Sequence, residues 1–302
     1  MGVVTTGTSP KLLWPGLNSI WGLKYTEHPL ECRDLFDQYS SNQAFEEDLQ
    51  QTGLGLAPVK PEGSAVSYDT PAQGFISRYT HVTYGLGFIV SREEQEDNLY
   101  KKVAFQRTER LAFSMRQTEE NVAANVYNRA FTSGFNFGDG TVLINDSHPT
   151  RSGNQSNVLS AAADLSEAAL EDLLIQIMNT TDDLGLNISL MAQSLHIPPD
   201  LMFDAERILK SVLRVDSANN DINAMRNMGL IPGGAKVNHY FSDTDAWFLR
   251  TNCPDGMKYF NRRPTEFTED NDFDTENHKY KSTGRYSYGA TDWRQIFGTP
   301  GA

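Results

Sequence analysis

"DNLYKKVAFQRTERLAFSMRQTEENVAANVYNRAF", residues 97–131, contains no glycine or proline. Leu99, Val103, Leu111, Met115, Val122, Val126 and Ala130 recur through it at spacings of three, four or their multiples, which puts them on one side of an α-helix. At about 1.5 Å per residue such a helix is on the order of 50 Å long, well beyond the usual length. A coiled coil is the ordinary explanation for that length. However, the heptad pattern fails at Arg107 and Thr118, and no second segment of similar length is available as a partner. The spacing therefore predicts a single long helix crossing a flat subunit, with Leu111, Met115, Val122 and Val126 along its apolar stripe.

Upstream of the helix, "SAVSYDTPAQGFISRYTHVTYGLGFIV" (64–90) is rich in Tyr, Phe, Val, Ile and Thr, and is broken by Pro71 and Gly74. It reads as a long two-stranded loop. Because an isolated hairpin is marginal in water, it needs something outside itself to pack on, and Phe75, Tyr79, Tyr84, Phe88 and Ile89 are the candidate contacts to a neighbouring subunit. Residues 1–62 read as an extended arm punctuated by "WPGLNSIWG" and "GLGLAPVKPEG", with one short amphipathic helix expected at 29–51. Such an arm has little core of its own, and a neighbouring subunit would supply a surface for it.

Downstream of "GFNFGDGTVLINDSHP", Ser166 is a good helix N-cap, and Leu165 can staple onto Leu170. Leu170, Leu173, Leu174 and Ile177 form the buried face of that helix. "NISLMAQSLHIP" reads as a strand stopped by Pro198 and Pro199, after which Leu201, Ala205, Ile208, Leu209 and Val212 make one helical stripe. The cluster "LHIPPDLMFDAERIL" (195–209) therefore reads as a strand, a turn and a helix. Asp200 and Asp204 sit near the positive end of the helix dipole, and Glu206 and Arg207 on the solvent face. In "HKYKSTGRYSYGA" (278–290) Tyr280, Tyr286, Tyr288 and Ala290 alternate with Lys279, Lys281, Arg285 and Ser287, the signature of a long strand with a basic face that could meet acidic neighbours.

With 39% apolar and 22% charged residues and no low-complexity tract, a folded chain of one large or two smaller domains is expected. No stretch approaches the roughly eighteen apolar residues of a membrane span, and the first residues lack the apolar core of a secretory signal, so synthesis and folding in a cytoplasm are expected. Cys32 and Cys253 are far apart and belong to no zinc-type spacing. The Asn-x-Ser/Thr triplets at Asn145, Asn179 and Asn187 carry no meaning without secretion. A net charge of −13 argues against a dedicated nucleic-acid binder, whose phosphate contacts need clustered Lys and Arg.

No nucleophile elbow, Walker loop or dinucleotide fingerprint is present. "GLGLAP" and "YGLGF" lack the spacing and the helix start of a phosphate cradle, and read as turns. The six histidines, His28, His81, His148, His196, His239 and His278, are scattered. Asp270, Asp272 and Asp274 copy part of a calcium loop, but Thr275 and Lys281 stand where Gly and Glu are needed, so a solvated acidic loop is the better reading. No cofactor, metal or catalytic residue is expected.

The order of arm, extended loop, long helix and closing strand resembles the major capsid protein of tailed bacteriophages, the Hong Kong 97 bacteriophage fold, Mu-like major head subunits among its relatives. "ERLAFSMRQTEENVAANVYNRAF" is similar to the family's spine helix and "DGTVLINDSHPTRSGNQSN" to the segment after it. "LHIPPDLMFDAERILKS", "DTDAWFLRTN" and "FDTENHKYKSTGRYSYGATDWRQIFGT" are similar to parts of its axial and closing segments. The resemblance covers most of residues 64–302. It implies an α+β fold with an N-terminal arm (1–62), an extended two-stranded loop (63–96), a peripheral domain with the spine helix (97–140 and 264–290) and a mixed α/β axial domain (141–263 and 291–302).

By the same resemblance the chain tiles an icosahedral shell as pentamers and hexamers around double-stranded DNA that it encloses without specific binding, with the extended loop overlapping a neighbour's spine helix. Portal and decoration proteins are further expected partners. Only about sixty residues precede the loop, which implies a separate scaffolding protein, and residues 64–90 hold no lysine for a covalent cross-link, so non-covalent particles are expected. The rival readings are an encapsulin-like nanocompartment with the same fold and a metal-dependent enzyme using His196, Asp200 and Asp204.

Overall fold

A computed structural model describes residues 10–96, 100–213, 221–272 and 276–302. The first part of the chain forms α1 (Pro10–Glu27), a 3-10 turn (Glu31–Asp34), β1 (Asp37–Ser40), β2 (Phe45–Gln51), β3 (Gln73–Thr80), β4 (Val82–Val90), α2 (Arg92–Glu96) and α3 (Tyr100–Asn128). There follow β5 (His148–Thr150), β6 (Gly153–Gln155), α4 (Glu167–Met178), β7 (Ala192–Ile197), α5 (Met202–Lys210), α6 (Ala224–Met228), β8 (Ala235–Val237), β9 (Trp247–Thr251), β10 (Met257–Asn271), β11 (His278–Ala290) and β12 (Ile296–Thr299).

Two four-stranded sheets carry the structure. In the peripheral sheet, ordered β1-β10-β11-β4, only the β1–β10 pairing is parallel. The axial sheet is ordered β12-β9-β7-β8, and there only β7–β8 is parallel. The spine helix α3 lies across the peripheral sheet. Its N-terminal half buries Ala104, Leu111, Ala112 and Met115 against Val90, Phe267 and Tyr280. Its C-terminal half buries Ala123, Ala124 and Tyr127 in a second cluster that also takes in Phe248 and Ile296 of the axial strands. One helix thus belongs to both units and sets their spacing. A third cluster, built from α4, β7, α5 and β9 around Trp247 and Phe297, fills the axial unit.

The expected α+β class and the 278–290 strand match the structure, as does the helix capped by Ser166, whose Oγ accepts the Ala169 amide at 3.2 Å. Leu111 and Met115 are buried, Val122 and Val126 half-buried, and Leu99 lies outside the described residues. Residues 29–51, expected as a helix, instead form the 3-10 turn, β1 and β2. Phe45 and Leu49, four residues apart, lie on the open face of a strand whose other face is polar. Conversely, residues 10–27 are helical despite Pro15 and Gly16. Packing of Leu17 and Trp21 on α3, with Trp21 stacked 5.8 Å from Phe267, outweighs the roughly 3 kcal/mol that an interior proline costs. The arm therefore has a core partner inside its own subunit.

Pro264, expected to open the peripheral segment, lies within β10 at a bulge between Asn261 and Glu266. It is tolerated because it has no register partner there: β1 pairs with β10 only as far as Asn261, and the β10–β11 register is interrupted between Arg263 and Glu266. The "YGLGF" glycines are not in a turn but in the middle of β4, where β11 comes so close that a Cβ on Gly87 would sit 2.5 Å from the Tyr280 carbonyl oxygen.

Ala123 is fully buried at the point where α3 enters the core shared by both units. Ala123→Pro removes a helix hydrogen bond and forces a ring into that core, a loss of about 3 kcal/mol or more. Soluble yield and thermal melting should both collapse; a variant melting like the wild type would mean α3 is not the continuous support described here.

Candidate assembly surfaces

The extended loop is not the 63–96 segment expected from sequence. Its two strands are β2 and β3, paired antiparallel from Phe45 opposite Thr80 to Gln51 opposite Gln73, and its tip is residues 52–72. At His81 the chain changes partner, since β3 pairs with β2 whereas β4 pairs with β11. One residue therefore separates a projecting hairpin from the body of the subunit.

The root of this hairpin is fixed by polar contacts. The buried His81 has Nδ1 2.9 Å from Ser287 Oγ and Nε2 3.1 Å from Ser41 Oγ; burial first, and the Arg285 charge second, hold its imidazole below the usual histidine range. Asp48 pairs with Lys258 and accepts a 2.6 Å bond from Thr291 Oγ1. Tyr79 is buried, its hydroxyl 2.7 Å from the same Thr291 oxygen and its ring edge-on to Phe260 at 4.9 Å. The other face of the hairpin carries Phe45, Leu49 and Ile76, all exposed, with the Arg78 guanidinium 3.9 Å above the Phe45 ring.

The tip closes on itself at its base, where Thr52 Oγ1 donates to the Ala72 carbonyl (2.7 Å) and accepts from the Ala72 amide (2.8 Å). Beyond that point its apolar side chains face solvent: Leu56 is 79% exposed, and Val59 and Tyr68 are each 93% exposed. Of the five side chains expected to reach a neighbour, three make contacts within their own subunit. Tyr79 belongs to the subunit's own interior, while Tyr84 stacks on Tyr286 (4.9 Å) and Phe88 on Tyr280 (5.0 Å). Phe75 and Ile89 are exposed. Lys60 lies in the tip, so the lysine-free stretch 64–90 says nothing about cross-linking through the loop.

Sequence periodicity also missed two buried acids on α3. Glu119 receives the Tyr25 hydroxyl at 3.1 Å and the Tyr288 hydroxyl at 3.3 Å, and pairs with Arg116 at 3.6 Å. Glu120 accepts the backbone amides of Glu31 (2.6 Å) and Cys32 (3.0 Å), and its burial raises its pKa. These acids tie the arm to the spine, and nothing in "TEEN" distinguishes them from solvent-facing glutamates.

The 195–209 cluster forms the end of β7, a turn and α5. His196 is buried in β7 with Nε2 2.8 Å from Ser194 Oγ, while Asp204 pairs with Arg207 at the surface (2.9 Å). Among the described residues, no three His, Cys, Asp or Glu side chains are placed to hold a metal. Of the acidic loop, Asp272 pairs with Lys279 of the expected basic face, and Asp274 lies outside the described residues. Arg285 donates to the backbone carbonyl of His81 (3.3 Å). At the far end of the axial unit Phe203, Val212, Ile222 and Met228 form an exposed apolar group around α5 and α6.

Two sheets joined by one shared helix, with a β2–β3 hairpin whose tip faces solvent, make up the subunit. The profile of the family described as "Phage capsid protein" matches residues 76–298, more than half of the chain, and the chain belongs to that family. It is a major capsid protein with the Hong Kong 97-type α+β fold, a structural component of the virion shell. None of the curated proteins is a significant match. Solved structures of similar fold include the capsid of a native GTA particle (12% identity, TM-score 0.58, covering 90% of each chain). A virus-like particle from Pyrococcus furiosus (12% identity, TM-score 0.51, 94% of this chain and 97% of that one) and a chain of Mycobacterium phage Adephagia (9% identity, TM-score 0.52, 90% of each) are also similar. The nanocompartment and enzyme readings are not favoured.

Burial lowers the pKa of His196 to about 3. The unfolded chain, with an ordinary histidine pKa of about 6.5, takes up the proton first, so the stability this histidine contributes is complete above about pH 6.5 and is lost as pH falls towards 3. Across that window the loss is on the order of 4 kcal/mol. Urea unfolding at pH 7 and pH 4 should show a markedly smaller pH effect in His196→Gln than in the wild type; equal slopes would rule out His196 as the source.

Proposed function

We propose that the chain tiles a closed icosahedral shell as pentamers and hexamers around double-stranded DNA, with the β2–β3 hairpin reaching over an adjacent subunit. The observation that carries this reading is the contrast within the hairpin, whose root is locked by Asp48, Tyr79 and His81 while its apolar tip faces solvent. A lone subunit gains nothing by exposing Leu54, Leu56, Val59, Val66 and Tyr68, whereas a shell covers them. A closed shell needs the same patches repeated around each symmetry axis, and a rigidly rooted hairpin with a free tip supplies one.

The net charge of −13 suits a container that must release its genome, since tight packing against phosphates needs clustered cations. Assembly takes place in the host cytoplasm on a separate scaffolding protein, and a portal and decoration proteins complete the particle. The apolar group around α5 and α6 lines the centre of each capsomer.

Replacing residues 54–70 by a short Gly/Ser linker separates folding from assembly. Loop closure changes only logarithmically with length, so the subunit should keep its circular dichroism spectrum and melting temperature, yet electron micrographs should show no closed shells. Replacing 73–90 instead removes Tyr79, Phe88 and Val90 at about 3 kcal/mol or more for each large side chain, and should unfold the subunit. Normal shells from the 54–70 variant would overturn the role given to the tip.

A further inference from the structure

The free edge of β4 has the character of an acceptor strand. Among the described residues β4 ends the peripheral sheet, and at its far end Arg107 of α3 donates to the Ile89 carbonyl at 3.2 Å. Its sequence, "VTYGLGFIV", contains neither charge nor proline, the usual devices that keep an edge from pairing with another chain. Val82, Leu86 and Ile89 on it are about half exposed.

The exposed tip holds a segment of matching pattern, "GLGLA" at 53–57. In an extended conformation Leu54 and Leu56 project to one side, and Gly53, Gly55 and Ala57 to the other. Along β4, Val82, Tyr84, Leu86 and Phe88 share one side, while Thr83, Gly85, Gly87 and, at the end, Ile89 share the other. The small side of β4 is imposed by β11, because a Cβ on Gly85 would meet Thr283 Cγ2 at 2.9 Å. Both segments therefore present one leucine-bearing side and one glycine side.

We propose that residues 53–57 of one subunit add as a strand to the free edge of β4 in a second copy, with Leu54 and Leu56 beside Leu86 and its β4 neighbours. This inference rests on the reading of the tip as the part that reaches a neighbour. The occupant is a second copy because a shell subunit is surrounded by copies of itself. At a net charge of −13 per chain, two uncharged segments are where copies approach with least repulsion. Strand addition supplies main-chain hydrogen bonds, and the Gly55 amide, which donates to Asp69 Oδ2 at 2.8 Å within the subunit, either points away from β4 or exchanges that carboxylate for a β4 carbonyl. Pro58, which has no amide hydrogen, limits the added strand to the residues before it.

A photoreactive benzoylphenylalanine placed at Leu56 in otherwise intact, assembled particles tests the pairing, with cross-linked peptides identified by mass spectrometry. Products joining position 56 to residues 82–90 of another copy are expected in particles and absent from unassembled subunits. Cross-links to another part of a neighbour would overturn the pairing with β4 while leaving the tip as an assembly element. Products within one chain only would overturn both. In parallel, Thr83→Glu places a charge on the Gly85 side of the edge, at an exposed position opposite Arg285 of β11, whose opposite charge the isolated subunit accommodates. It should leave melting unchanged and abolish shells, and wild-type shell yield would count against the proposal.

Discussion

The packing of α3 against the β10–β11 pair is the interaction on which the rest of the subunit depends. Its small residues, Ala104, Ala112, Ala123 and Ala124, let the helix lie close to the sheet, while Leu111, Met115 and Tyr127 fill the space on either side. Because one half of the helix serves the peripheral core and the other half the core shared with the axial strands, neither unit can shift without breaking contacts of the same rigid rod. The arm is added to this support rather than independent of it. Leu17 and Trp21 sit on α3, and Glu120 holds the amides of the following 3-10 turn.

That support makes the division between folding and assembly possible. The peripheral sheet ends at β4, and the chain entering β4 has just left the hairpin at His81. Polar side chains of β2 (Glu46, Asp48, Gln50) turn towards the body, and apolar ones (Phe45, Leu49) turn away, the reverse of an ordinary surface strand. The inversion means that the hairpin is held by directional polar contacts at its root and keeps its hydrophobic surface in reserve. Burial of apolar area drives association without regard to sign of charge, as an acidic chain meeting copies of itself requires.

Much of the scaffold was legible in the sequence because strong periodicity and caps report local structure. The spine helix, the Ser166-capped helix and the strand at 278–290 are examples. The hairpin was misplaced because both β3 and β4 read as strands, and no local signal says that each pairs with a distant segment rather than with the other. The helix at residues 10–27 was hidden by Pro15 and Gly16, whose local cost is overcome only by the tertiary contact of Trp21 with Phe267. Glu119 and Glu120 were unreadable for the same reason, since their tyrosine and backbone partners lie 88 or more residues away. Of the candidate contact residues, Phe75 and Ile89 remain at the surface, and the exposed tip residues had been divided between the arm (Leu54, Leu56, Val59) and the loop (Val66, Tyr68).

The most direct test of the account is an electron cryo-microscopy reconstruction of the particles that the chain forms. The account predicts closed icosahedral shells in which each subunit keeps the α3–β10–β11 body unchanged and its residues 53–71 rest on an adjacent subunit. Shells in which those residues lie back on their own subunit, with neighbours joined only through other surfaces, would contradict it.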